Sequence, residues 1–281
     1  MRSEWDLTNG RLTADERSCL DRNGYVVRDN VFSLTEVADI TRACEDLVAR
    51  LIHDRKLKRY QAGSYVFAPD LERNVMIKWE GDSDIVHGIE PFAHLEPLLN
   101  AWAHDPRFVE PMQDFVGDTH PGLFTEKLNL KRPGHGGINP LHQDYPYWLD
   151  TADAPARVAT AMLFLDDATL ENGCLQVAPG SHLSGQWRNR TDADAFGANE
   201  IDTAAYADVV MQPLPLQAGS IVMFGSFLVH KSEPNRSTKQ RRALLFSYQP
   251  AGHRTMLDSL RAATEARRRA KAQRTDQPSR Q

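Results

Sequence analysis

Apolar residues recur with two different periods along the chain, and the change of period divides it. Two segments near the start open on capping signals. Thr13-Ala14-Asp15-Glu16 and Ser33-Leu34-Thr35-Glu36 each place a hydroxyl at the first position and a glutamate three residues on. The first predicts a short helix through Cys19 and Leu20, broken at Asn23-Gly24, with Tyr25-Val26-Val27 following as a strand. After the second, Val37, Ile40, Cys44, Leu47, Val48 and Leu51 fall on one helical face, which predicts an amphipathic helix from 34 to 52. Tyr65-Val66-Phe67 and Val75-Met76-Ile77-Lys78-Trp79 read as strands. Ile89 to Ala103 and Pro106 to Val116 read as helices that pack outside a sheet.

From Leu123 the period shortens to two. Thr125-Glu126-Lys127-Leu128-Asn129-Leu130-Lys131 alternates polar and apolar residues, as a half-buried strand does. Val158–Leu165, Cys174–Val177, Val209–Met211, Ser220–Phe224 and Ala243–Tyr248 are further short strands, separated by turn residues. Residues 184–208 are polar and irregular, and a loop of that length inside a domain reads as a lid. Many short strands with regular turns predict a mainly β protein with packed helices, α+β in class, built on a double-sheet jelly roll or a related barrel.

Composition narrows the function classes. The chain has 281 residues, 41% hydrophobic and 25% charged, which suits an ordinary soluble protein of one large or two small domains. A net charge of -5 gives no reason to expect a nucleic-acid partner. Met1-Arg2-Ser3-Glu4-Trp5-Asp6 opens no apolar run, so no secretory signal is expected, and no stretch is apolar enough to span a membrane. Cys19, Cys44 and Cys174 lack CxxC spacing, which argues against a disulfide framework or a zinc-thiolate site and makes the cytoplasm the default compartment.

Candidate chemistry centres on Leu141-His142-Gln143-Asp144-Tyr145. In a strand, His142 and Asp144 share a face. His230 follows another strand-like run, and Arg241 enters the strand after it. Two histidines and one carboxylate are the ligand set of the facial triad that holds non-haem Fe(II) with open positions. Tyr145, Tyr147 and Trp148 follow the His-x-Asp at the mouth of such a pocket, where they would line a substrate site or pack in the core. His135 and His182 read as structural loop residues, and His87, His94, His104 and His120 as surface or helix-end groups. Arg188 and Arg190 lie in the long loop, as solvated surface or as contacts for an anionic substrate.

Taken together, Pro140-Leu141-His142-Gln143-Asp144, Asp167 to Leu175, Pro179-Gly180-Ser181-His182 and Val229-His230-Lys231-Ser232 through Arg241 resemble the phytanoyl-CoA dioxygenase family of Fe(II)- and 2-oxoglutarate-dependent oxygenases. Asn23-Gly24-Tyr25-Val26-Val27 is similar to the family's N-terminal signature, and the resemblance runs from residue 12 to 250. It implies a double-stranded β-helix, the cupin-like jelly roll. The expected organisation is one dioxygenase domain over 1–256, with a helical part at 12–118 and the core at 123–250, then a basic, solvated C-terminal helix that frays into a disordered tail over 257–281. The resemblance makes His142, Asp144 and His230 the iron ligands and Arg241 the clamp for the far carboxylate of 2-oxoglutarate. Arg242 is on the opposite strand face, so only one of the two arginines points inward. Ser232 and Asn129 match cosubstrate-contacting positions. Lys127 stands where some relatives carry an apolar residue; it would reach the cosubstrate, pair with a carboxylate or help bind substrate. The implied cofactors are Fe(II), 2-oxoglutarate and O2, and the implied partner is a small-molecule substrate, taken by a monomer or homodimer. Related halogenases replace the carboxylate by a small residue; here Asp144 is present, which favours hydroxylation over halogenation. Desaturation, cyclisation or epimerisation at the same iron is the alternative, and a non-catalytic jelly-roll binding protein is an alternative of another class.

Overall fold

Both capping boxes form. In the computed structural model, which describes residues 10–53, 57–62, 65–81, 83–191 and 199–275, Thr13 caps α1 (Ala14–Asn23) and Ser33 caps α2 (Leu34–Ile52), each glutamate reaching back to its cap backbone. β1 (Tyr25–Arg28) lies between them. Then come β2 (Tyr60–Ala62), β3 (Tyr65–Asp70), β4 (Val75–Trp79) and β5 (Val86–Glu90). α3 (Pro97–Trp102) and α4 (Pro106–Val116) follow, each with proline in the first turn, where a missing N–H is tolerated. The second half holds β6 (Gly122–Lys131), β7 (Asn139–His142), the short α5 (Tyr145–Trp148), β8 (Ala159–Phe164), β9 (Leu175–Val177), β10 (Gln212–Leu214), β11 (Ile221–Gly225), β12 (His230–Ser232), β13 (Arg241–Gln249) and α6 (Met256–Thr275).

Among the described residues these strands make two antiparallel sheets. One is nine-stranded, in the order β1-β11-β8-β13-β6-β5-β4-β3-β2, and the other four-stranded, β10-β9-β12-β7. This is the two-sheet jelly-roll arrangement, with helices on the outer face of the large sheet. The apolar stripe of α2 and the faces of α3 and α4 bury Ile40, Leu47, Leu99 and Phe108 against Leu128, Leu244 and Phe246. Phe108 meets Phe246 edge to face at 5.0 Å, and the Tyr248 hydroxyl donates to Ala103 O at 2.7 Å, tying the end of α3 to the sheet. Each fully buried side chain of this kind contributes about 1.5–3 kcal/mol. A smaller core of Met162, Phe164, Leu175, Val177, Val222 and Phe224 lies elsewhere, with residues from both sheets. Period two therefore has a consequence: on β6, Leu128 and Leu130 face the helices while Lys127 and Asn129 face the space between the sheets.

Two segments depart from their sequence patterns. The expected helix over Ile89–Ala103 starts as a strand: β5 runs to Glu90, a cis Glu90-Pro91 bond follows, and α3 begins only at Pro97. Pro91 and Pro97 each forbid the continuous ladder that the apolar spacing suggested. The strand expected at Val209–Met211 lies three residues later, as β10, where it pairs Gln212–Leu214 with Leu175–Val177. The irregular 184–208 segment includes residues 192–198, outside the described part.

Gly88 marks the closest approach of two strands. A Cβ there would stand 2.6 Å from Leu128 O. Gly88→Ala is expected to destabilise the fold by about 1–3 kcal/mol, the usual result of overpacking. A denaturation midpoint equal to that of Gly225→Ala, whose Cβ would meet nothing within 4 Å, would refute the close approach.

Candidate active site

Two neighbouring strands of the small sheet bring the histidines together. His142 ends β7, His230 begins β12, and the two are direct cross-strand partners. Their rings lie 4.1 Å apart. Asp144 follows β7 by two residues, at the start of α5, and its Oδ1 is 3.8 Å from His142 Nε2. One ligand atom from each of His142, Asp144 and His230 lies within 4.8 Å of the others, a spacing one metal ion can bridge. The tautomers agree: His142 Nδ1 donates to Pro140 O at 2.7 Å and His230 Nδ1 to Leu228 O at 2.9 Å, which leaves each Nε2 with its lone pair. Burial, then the nearby His230, holds His142 well below the ordinary histidine range, so it is neutral as a ligand must be.

Arg241 supplies the second half of the site. It starts β13 opposite Lys131 of β6 and is 1% exposed. Its Nη2 donates to Gly173 O at 2.9 Å and to Ser232 Oγ at 3.4 Å, while Nε and Nη1 are buried without a partner. Burial lowers its pKa to about 10, so it stays cationic at neutral pH. A buried guanidinium with two unused donors, on a cavity wall beside a serine hydroxyl, fits an incoming carboxylate. Arg242 faces the other way, bonded to Asp166 at 2.7 Å and Glu45 at 3.0 Å. Which arginine points inward is thus a matter of strand parity.

Between the triad and Arg241 lies a cavity of about 330 Å³. Asn129 and Lys127 line it from β6, Ser232 from β12, and Tyr147 and Trp148 from α5. Lys127 Nζ is 3.3 Å from Glu90 Oε2. Burial opposes its charge, but Glu90 and Asp144 prevail and raise its pKa. Trp148 lines the cavity and also packs edge-on against Phe124 at 5.7 Å. Tyr145 does not line the cavity: it stacks on Phe227 at 4.4 Å, because the helical turn of α5 sends it away from its neighbour Tyr147. Arg188 pairs with Asp202 at 2.7 Å and Arg190 with Glu200 at 3.1 Å, so both have structural partners.

Three contributions did not come from the sequence reading. Lys78, placed only in a strand, shares the cavity-facing side of β4 with Met76, while Val75, Ile77 and Trp79 are buried on the other face. Burial, then the charges of Lys127 and Lys131, drives its pKa well down. Period two along β4 was the available signal. His87, expected at the surface or a helix end, is 2% exposed on β5, against Glu80 and Asn139. It lies beside Gly88 in the middle of β5, and nothing local marked it as buried. Finally, α6 is docked at its start. Met256 and Leu260 line the cavity, Thr264 is buried, and Ser259 Oγ donates to Thr151 O at 3.2 Å. Among the described residues no helix is long and apolar enough to cross a membrane.

Comparison with known proteins agrees with this geometry. The family model for phytanoyl-CoA dioxygenase matches residues 20–243. A Caenorhabditis elegans protein named phytanoyl-CoA dioxygenase domain-containing protein 1 homolog is 25% identical over 259 residues, 82% of this chain and 88% of that one. The L-proline trans-4-hydroxylase of Streptomyces griseoviridis is 33% identical over 144 residues, 45% of this chain and 53% of that one. In three dimensions the fold is similar to EctD from S. alaskensis, solved with 2-oxoglutarate and 5-hydroxyectoine, at a TM-score of 0.68 and 22% identity, covering 89% of this chain and 79% of that one.

Proposed function

The chain belongs to the phytanoyl-CoA dioxygenase family, and from that premise we propose that it is an Fe(II)- and 2-oxoglutarate-dependent oxygenase that hydroxylates a small organic molecule. The observation that carries this reading is an open His-Asp-His cluster sharing one cavity with a buried arginine that has two unused donors. When bound, the iron with 2-oxoglutarate and O2 supplies the oxidising chemistry, and 2-oxoglutarate leaves as succinate and carbon dioxide.

The residues divide this work. His142 and His230 offer Nε2, and Asp144 offers its carboxylate, to one metal ion. Arg241 and Ser232 take the far carboxylate of 2-oxoglutarate, with Asn129 as a polar contact from β6. Lys127, paired with Glu90, orients the substrate. Tyr147, Trp148, Met256 and Leu260 shape an apolar wall that excludes water. α6 adds to that wall from beyond the matched range, which ends at residue 243.

A cation and a carboxylate side by side in an apolar-walled cavity support a substrate that carries an amine and an acid on an apolar body, an amino-acid-derived compound or related secondary metabolite. The similarity to L-proline trans-4-hydroxylase points the same way. The free thiols of Cys19, Cys44 and Cys174 suit a reducing cytoplasm. Anaerobic titration of the purified protein with Fe(II) and 2-oxoglutarate tests the reading. A visible metal-to-ligand charge-transfer band is expected, followed in air by succinate formation that a suitable amino acid accelerates. If no band forms, the jelly-roll binding protein becomes the better account.

A further inference from the structure

The rows of the large sheet show where the cavity changes character. Register pairs Arg241 of β13 with Lys131 of β6; further along, Ser247 of β13 pairs with Thr125 of β6 and with Thr160 of β8. The inward row just before that one holds Lys127, Leu245 and Met162. Period two turns Leu245, Met162, Ser247 and Thr160 to the same face as Lys127, and all of them line the cavity. The end walled by Arg241 is therefore followed by an apolar step and then by a polar row. Thr151 belongs to this polar end. Its neighbour Ala152 packs in one apolar cluster with Phe124, which precedes Thr125, and with Val158, close to Thr160 in the chain.

The hydroxyls at this end are not equally committed. Thr125 Oγ1 donates to Glu90 Oε1 at 3.0 Å, so its proton serves the carboxylate that pairs with Lys127. Thr160 Oγ1 and Ser247 Oγ lie 2.8 Å apart, on residues only 1% and 5% exposed. One donates to the other, and whichever accepts keeps a proton of its own. Thr151 uses its N–H on Trp148 O and its carbonyl on Ser259 Oγ. Its hydroxyl oxygen is buried with no hydrogen-bond partner among the described residues, and Thr151 lines the cavity. Two hydroxyl protons, with lone pairs beside them, are thus left on the cavity wall. Burying such groups unmet is costly, and a guest that both accepts and donates removes the cost.

We propose that Thr151, Thr160 and Ser247 form a subsite for a carboxamide at the far end of the substrate. This rests on the oxygenase reading above and adds a second point of recognition to it. The ammonium and acid of the substrate meet Glu90 and Lys127, and the end of its side chain meets the hydroxyls. A carboxamide oxygen has two lone pairs for the two free protons, and its NH2 returns donors to the hydroxyl oxygens. The three hydroxyls carry no net charge, so an ion seated on them would lose more solvation than they replace, and an apolar end would leave both protons unmet. The reach also fits. Lys127 is on β6 and the hydroxyl pair bridges β13 and β8, so about one and a half strand spacings, roughly 7 Å, separate them. A side chain of the length of asparagine or glutamine covers that distance.

Two sets of amino acids matched in shape test this: L-leucine, L-asparagine and L-aspartate, and L-homoleucine, L-glutamine and L-glutamate. Each is titrated anaerobically into the protein loaded with Fe(II) and 2-oxoglutarate. Binding is read from the perturbation of the charge-transfer band, and then from faster succinate formation in air. In at least one set the amide is expected to bind at least about tenfold more tightly than both amino acids of its shape, because a site built to hydrogen-bond rejects the analogue that cannot. Ser247→Ala and Thr151→Val are each expected to cut that preference by about 2- to 10-fold, the share of one hydrogen bond. The preference is a ratio within one variant, so any loss of folded protein cancels. Thr151→Val gives up no side-chain bond within the protein, so its denaturation midpoint is expected not to fall, which separates a subsite from a structural role. Equal or tighter binding of the apolar member in both sets overturns the proposal. Tightest binding of the carboxylate overturns it in favour of an anion at this end. An amide preference unchanged in both variants overturns the assignment to these hydroxyls. No response to any of the amino acids overturns the proposal alone, because the band itself still supports the oxygenase reading. If no band forms with Fe(II) and 2-oxoglutarate, both readings fall together.

Discussion

His142→Ala is expected to abolish the charge-transfer band and to lower 2-oxoglutarate-dependent succinate formation by more than the roughly 10- to 100-fold that loss of an outer partner of a metal ligand costs. The reason is geometric. His142 lies against both other members of the cluster, its ring 4.1 Å from that of His230 and its Nε2 3.8 Å from Asp144. Removing its ring leaves two ligands, on separate segments, to hold an ion that this class binds with three. Asp144→Ala should act differently in degree: the imidazoles remain, but the negative charge that offsets the metal is gone. The fold should survive both changes, because His142 and Asp144 side chains keep 16% and 13% exposure at a cavity wall and carry little of the core. Far-ultraviolet circular dichroism and the denaturation midpoint therefore serve as controls. Wild-type turnover by either variant would show that the metal, if one is used, lies elsewhere.

Arg241→Ala is expected to weaken 2-oxoglutarate binding by about 2–5 kcal/mol, the usual range for truncating one member of a buried charged pair. This corresponds to a loss of roughly 30- to several-thousandfold in affinity. Fe(II) binding should be nearly unchanged, since Arg241 is not a ligand in the cluster. Arg241→Lys should recover only part of the loss, because an ammonium lacks the fork that meets a carboxylate with two parallel bonds. Arg242→Ala is the informative contrast. It removes ion pairs to Asp166 and Glu45 on the helix side of the sheet, so it should lower stability and leave the 2-oxoglutarate requirement alone. An unchanged requirement in Arg241→Ala would place the cosubstrate carboxylate at Lys127 or Lys78 instead.

Much of the site was readable from residue order. The His-x-Asp pair, the distal His230 and the Arg241-Arg242 pair stand in a sequence order that can be recognised before any fold is known. Period two placed Lys127 and Asn129 on one face of β6, and that face lines the cavity. Local pattern misled where a local rule was overridden. Apolar spacing over Ile89–Ala103 looked helical, yet β5 is completed by pairing with β4 and β6, a gain that no window of that segment contains. Tyr145 seemed equivalent to Tyr147, but a four-residue helical turn separates their directions.

The sequence by itself determined the class of chemistry, because a His-x-Asp pair, a distal histidine and strand parity are properties of residue type and spacing. Only the tertiary structure decided what surrounds them. The burial of His87, the contact of Asn139 with Ser232, and the placement of Met256 and Leu260 on the cavity wall all join residues distant in the chain. Such contacts depend on how sheets and helices pack together, and packing leaves no periodic mark on any one segment.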